Sequence, residues 1–211
     1  MSQTSYPVPD LAPGQCHETS LLIRRSRFLT HIARASSPDE ARAFVELMRV
    51  RHADATHNCW AFNAGPPGST AQIGASDDGE PHGTAGRPML GVLLHGDVGE
   101  ICCVVTRWFG GIKLGTGGLV RAYQDCVAGC LDTLPRAMRV SLAKLAVEIG
   151  YADNERVRRL LARHGASVTS EEYGADILLE IGIPGPAVQD FTRELADLTS
   201  GSACVIELES D

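Results

Sequence analysis

The spacing of apolar residues changes several times along the chain, and each change marks a predicted element. Residues 21–35 mix apolar positions with arginines in imperfect alternation, which predicts one or two strands with an exposed basic edge at Arg24, Arg25 and Arg27. Ser37-Pro38-Asp39-Glu40 then supplies a capping serine, a proline at the first helical position and a glutamate at the capping-box position, so a helix starts here. Phe44, Val45, Leu47 and Met48 form its apolar stripe. A strand is predicted over 57–62. Residues 63–86 hold six glycines and three prolines, which excludes one regular element and predicts a long loop of the functional or disordered kind. A helix follows over 87–95. Residues 100–108 read as a central strand, because Ile101-Cys102-Cys103-Val104-Val105 would be wetted at a sheet edge. Helical spacing returns over 119–134, with Leu119, Ala122, Tyr123, Cys126, Val127 and Cys130 on one face.

The remaining third is more regular. Strands are predicted over 140–150, 167–173, 176–183 and 202–209, with helices over 154–164 and 186–199, and Gly165 terminates the first of these. The order β-α-β-β-α-β is the ferredoxin-like split pattern. No convergent catalytic set lies in it, so a structural or docking role is the expectation for this part.

Composition places the boundary between the two parts. Sixteen of the 22 glycines fall at or before position 135 and six after it, so recognition by glycine-supported loops belongs to the first part. Eleven basic against 13 acidic residues up to 135 give −2, and eight against 13 beyond it give −5. The domains expected are a loose polar lead-in over 1–15, a first domain over 16–135 and a second over 136–211. The lead-in has neither a basic nor an apolar signal region, and no apolar run is long enough to cross a bilayer, so a cytoplasmic location without membrane contact is expected. The formal charge of −7 argues against coating nucleic acid by bulk electrostatics, while leaving room for a local basic patch. Seven cysteines without a CxxC spacing predict reduced, mostly buried thiols rather than a disulfide framework.

Two glycine-rich segments carry the candidate chemistry. Residues 106–118, Thr106-Arg107-Trp108-Phe109-Gly110-Gly111-Ile112-Lys113-Leu114-Gly115-Thr116-Gly117-Gly118, join a buried strand to a helix whose first N–H groups are free. With Arg107, Lys113 and Arg121 around it, this junction is a candidate anion or RNA site, to which Trp108, Phe109 and Tyr123 add rings. It has no GxxxxGK[ST], and Val120 stands where a dinucleotide fingerprint needs its third glycine. The second segment, 76–88, contributes Asp77, Asp78, Gly79, Glu80, Gly83, Thr84, Gly86 and Arg87. Here Asp78 or Glu80 is expected to neutralise Arg107 or Arg87 and hold the loops together, with Thr84 capping the next helix. Its carboxylates do not follow a calcium-loop spacing. His57 and His82 with Cys59 suggest a transition-metal or cysteine–histidine pair, against which the lone strand cysteine reads as core. Neither a metal nor a cofactor is expected.

At His57-Asn58-Cys59-Trp60-Ala61, at 77–88 and at 106–123 the chain resembles the YigZ/IMPACT family. The resemblance covers nearly the whole chain. It implies an α+β fold whose first domain is like the second domain of ribosomal protein S5 and whose second is ferredoxin-like, akin to an elongation factor terminal domain. Carried onto this sequence, the family pattern falls on Asp78, Gly79, Glu80, Pro81, Gly83, Thr84, Gly86 and Pro88, and on Arg107, Phe109, Gly110, Gly111, Leu114, Gly115, Gly117, Gly118, Arg121 and Tyr123. Trp108 departs from it where a tyrosine is usual. The eukaryotic namesake regulates translation through protein contacts, so the resemblance implies a non-catalytic module directed at RNA, the ribosome or a translation-associated protein. Two alternatives stand beside it. One is an enzyme on a phosphorylated small molecule or nucleotide, with Arg107 and Lys113 clamping the anion and Asp78 or Glu80 as acid or base. The other is a protein-docking scaffold that works through its second domain.

Overall fold

The computed structural model describes residues 5–208, in two compact α+β units divided after Arg139. The first is built on a five-stranded antiparallel sheet of β2 (His17–Ile23), β3 (Ser26–Arg34), β4 (His57–Asn63), β5 (Ile73–Ser76) and β6 (Ile101–Trp108), in spatial order β2-β3-β6-β4-β5. Because β6 is central, side chains pointing either way from it are covered, which is why its apolar run is unbroken.

Helix α1 (Pro38–Arg51) lies on one face, where Phe44, Val45 and Met48 meet Ala33, Phe62, Cys102 and Val104. Its start is as predicted: the Ser37 side chain accepts from the Glu40 N–H, and the Glu40 carboxylate reaches back to Ser36. Helices α2 (Gly86–His95) and α3 (Thr116–Asp132) cover the other face. There Met89, Leu93, Leu119, Tyr123 and Cys126 pack on Phe28, Ile32, Cys59, Cys103 and Val105.

Four expectations need correction. Positions 1–4 of the loose lead-in lie outside the described residues, but Ser5–Pro9 is a strand, β1, paired with β7 (Arg136–Val140). Tyr6 and Val8 of this strand are buried, and Arg139 and Tyr6 both bond the buried Glu100. Because β7 is held there, the first unit ends after Arg139 rather than at 135, and the strand expected over 140–150 begins at Leu142. Inside the long loop over 63–86, β5 pairs with β4, so Trp60 faces Ser76.

The turn between β2 and β3 consists of two residues, Arg24 and Arg25, since Ile23 pairs directly with Ser26. Both adopt positive φ, 44° and 67°. That is the type I′ geometry matching the twist of a hairpin, which asparagine and glycine enter with far less strain than arginine.

The second unit has β8 (Leu142–Ile149), α4 (Asn154–Arg163), β9 (Ser167–Tyr173), β10 (Ile177–Pro184), α5 (Val188–Leu198) and β11 (Cys204–Leu208). Its antiparallel sheet runs β11-β8-β10-β9, the ferredoxin-like order. Alternate residues of β8 and β10, among them Leu145, Val147, Leu179 and Ile181, pack on Val157, Leu160, Phe191 and Leu195 of the two helices.

Candidate functional site

The two glycine-rich segments meet beside β6, and a buried polar network joins them. Position 107 faces the layer of α2 and α3, so the Arg107 side chain points inward and is 4% exposed. Its Nη1 lies 2.6 Å from Glu80 Oε1, and its Nη2 donates to Ser26 Oγ at 3.2 Å. Tyr123, wholly buried on α3, donates its hydroxyl to the same Glu80 oxygen at 2.8 Å. The rings of Phe28 and Phe109 lie against the guanidinium. The loop pairing expected between an acid of 76–88 and an arginine therefore exists, as Glu80 with Arg107.

The neighbouring acids are also occupied. Asp78 Oδ2 accepts from the Asn58 N–H at 2.7 Å and Oδ1 from Arg49 at 3.1 Å. His57 Nδ1 lies 2.9 Å from the Asp78 carbonyl, which can only accept, so the ring carries its proton there. Asp77 accepts from the N–H groups of Gly83, Ala85 and Gly86. Burial pushes its carboxyl upward, but these three donors outweigh that and hold it below the usual carboxylate range. Asp77 thus caps α2, the task expected of Thr84, whose hydroxyl bonds the Pro81 carbonyl instead.

These contacts change the roles expected of several of these residues. Arg107 and Tyr123, expected to face a ligand, hold the loops together from inside. Glu80 and Asp78, the acid–base candidates, are engaged by donors. Burial raises the Tyr123 hydroxyl and the Cys59 thiol far above their ordinary values, which favours the protonated thiol that donates to the Asp77 carbonyl. Among the described residues no three His, Cys, Asp or Glu side chains gather as metal ligands. Trp108 is half-buried; its Nε1 donates to Asp54 at 2.9 Å and Arg27 covers its ring.

What remains on the surface is the segment from Phe109 to Gly117. Phe109, Gly111, Lys113, Gly115, Gly117 and Arg121 are exposed, and Gly110 and Gly118 are half-buried. Gly110 approaches the β2–β3 turn so closely that an added Cβ would stand 2.0 Å from the Arg25 carbonyl carbon. Its N–H donates to the Ser26 hydroxyl, which also holds Arg107. The loop is thereby pinned beside Arg24 and Arg25. Gly115, with φ of 75°, ends it, and α3 begins at Thr116 with no side-chain cap. Arg121 stands in the second turn of that helix. It lines a shallow hollow of about 170 Å³ with Arg24, Leu114, Gly118 and Asp125. Among the described residues Arg24, Arg25, Arg27, Lys113 and Arg121 form no ion pair.

Comparison with known proteins matches residues 24–131 to the Impact N-terminal domain, a span that contains both loops and all of the network. The chain belongs to the IMPACT family. Residues 147–202 match a domain of unknown function, DUF1949. The Escherichia coli IMPACT family member YigZ is 41% identical over 89% of this chain and 92% of its own length. The Bacillus subtilis member YvyE is 34% identical over 91% and 88%. Mouse Protein IMPACT is 30% identical over 54% of this chain and 36% of its own. A crystal structure titled as that of a hypothetical protein, 37% identical, superposes with a TM-score of 0.71 over 99% of this chain and all of its own.

In this IMPACT family member the sequence reading missed Ser26, Asn58 and Arg49 as partners of the loops. Ser26 and Asn58 are buried polar residues at strand ends, and Arg49 lies in the last turn of α1. Nothing in the local sequence separates them from ordinary surface polar residues. Among the described residues no helix is long and apolar enough to cross a membrane.

Proposed function

We propose that this IMPACT family member is a non-catalytic binding module that seats RNA, free or within the ribosome, on the exposed loop over 109–115 and the first turn of α3. The observation that carries the reading is the group of cations without ion-pair partners. The β2–β3 turn and α3 bring Arg24, Arg25 and Arg121 beside the loop that carries Lys113, although the chain as a whole is acidic. Cations without an ion-pair partner keep much of their attraction for phosphate, even with Asp125 in the same hollow. Phe109, 46% exposed at the base of the loop, offers a face for base stacking. The non-catalytic half of the reading rests on the network, in which the carboxylates, phenol and thiol that could serve in acid–base or nucleophilic work are engaged or held neutral.

The test is a titration of labelled single-stranded RNA at several salt concentrations. Lys113→Ala and Arg121→Ala should each weaken binding and lower the log–log salt slope by about 0.7. A triple Arg24→Ala, Lys113→Ala, Arg121→Ala variant that binds as tightly as the parent would overturn the assignment of this surface.

A further inference from the structure

The second unit covers its sheet on one side only. The register of β8 with β10 and β11, and of β10 with β9, sets Glu148, Leu178 and Glu172 side by side on the uncovered face. The next row along the strands sets Ile206 near Glu180 across Ala146. Leu142 at the start of β8, Leu178 of β10 and Ile206 of the edge strand β11 are 52%, 37% and 59% exposed, so the face presents aliphatic side chains to solvent.

Charge is distributed just as unevenly. From Val140 onward there are six basic and 13 acidic residues, a balance of −7, against 13 of each before it. This unit therefore carries the whole formal charge of the chain. Five of its six cations are arginines of α4 and α5, each beside an acid: Arg156 with Asp153, Arg158 with Glu171, Arg159 with Glu155, Arg163 with Glu194 and Arg193 with Asp190. Every helical cation thus has an acid beside it, while Asp197 of α5 has no ion-pair partner among the described residues. On the open face only Lys144 stands against Glu148, Glu172 and Glu180, and these three carboxylates have no ion-pair partner among the described residues.

Exposed aliphatic side chains interleaved with unpaired carboxylates suit an apolar partner that brings its own cations. They repel phosphate, and the face presents no aromatic ring on which a base could stack. Four strands about 4.8 Å apart make a surface wide enough for one helix of about 10 Å diameter. We propose that this open face docks a partner protein through an amphipathic helix bearing lysine or arginine beside a leucine-type stripe. Covering it would complete a third layer on the sheet. The face is separate from the RNA surface proposed above, so either assignment can fail without the other.

The full chain, labelled for NMR, is titrated with a synthetic helix-forming leucine–lysine peptide of about 20 residues, with its leucine–glutamate counterpart, and with single-stranded RNA. The lysine peptide should shift the amides of β8, β10 and β11 and bind more weakly as salt rises. The double reversal Glu148→Lys, Glu180→Lys should weaken it at least about tenfold, with thermal stability checked in parallel, and Leu178→Ser should weaken it too. Lys113→Ala, in the other unit, should leave it unchanged. Equal binding of both peptides, RNA shifting the same amides, or concentration-dependent shifts revealing a second copy on the face would each overturn the proposal.

Discussion

The Arg107 guanidinium stands 2.6 Å from the Glu80 carboxylate, with both side chains at most 5% exposed, and this pair ties a strand to a loop 27 positions earlier in the chain. A buried pair need not add net stability, but breaking it leaves the survivor charged and unsolvated. Glu80→Ala should therefore cost about 3–5 kcal/mol in urea denaturation. The double variant Glu80→Ala, Arg107→Ala should cost clearly less than the two single changes summed. Strict additivity would show that the two side chains act separately.

Gly110 lies in the loop and Gly117 in the first turn of α3, and the two answer to different constraints. A methyl group at 110 would collide with the backbone of Arg25, whereas one at 117 meets nothing within 4 Å. Gly110→Ala should lower stability by about 1–3 kcal/mol or more, and Gly117→Ala should be near neutral. Equal melting temperatures for the two variants would contradict the close packing of loop and turn.

His31 is buried, with Nε2 3.0 Å from Glu18 and 3.3 Å from His52. Burial pulls its pKa from 6.5 down to about 4, so the fold holds the neutral ring. The unfolded chain takes up the proton first as pH falls. The stability contributed by the neutral ring is complete above about pH 6.5 and is lost as the pH drops from there through about 4. The loss should be on the order of 3 kcal/mol. Urea midpoints at pH 7 and 4.5 measure it, and His31→Gln should narrow the gap between them. An unchanged gap would assign the acid sensitivity to other groups.

The seven thiols should react in two classes. Cys204 is exposed and Cys16 half-exposed, while Cys59, Cys102, Cys103, Cys126 and Cys130 are buried. Burial pushes Cys126 up to about 12 and Cys130 up to about 11. A thiol reagent at neutral pH should modify Cys204 quickly, Cys16 more slowly, and the other five only as denaturant unfolds the chain. Rapid native labelling of Cys59 would reopen the case for a reactive cysteine.

Much of the fold was legible because its signals are local. The cap at Ser37, the two-sided apolar run of β6 and the alternation of the second unit each occupy a few neighbouring residues. Strands β1 and β5 were not legible, since each owes its existence to a partner elsewhere: β7 lies more than a hundred residues from β1, and β5 depends on β4. The site divided in the same way. Of the cations named for it, Lys113 and Arg121 proved exposed. The inward turn of Arg107 could not be read, because a strand-end arginine can face either way and only the arrival of Glu80 and Tyr123 decides. Asp77 was named among the loop residues, but its capping role escaped for a like reason, since it acts on N–H groups eight and nine positions later.

The two-arginine turn between β2 and β3 gives this protein an unusual place on the map of attainable sequences. Asparagine and glycine at 24 and 25 would relieve two left-handed arginines and lengthen the life of the folded state, yet they would strip both cations from beside the loop. Engineering this turn for heat tolerance would therefore take positive charge away from the surface beside the loop.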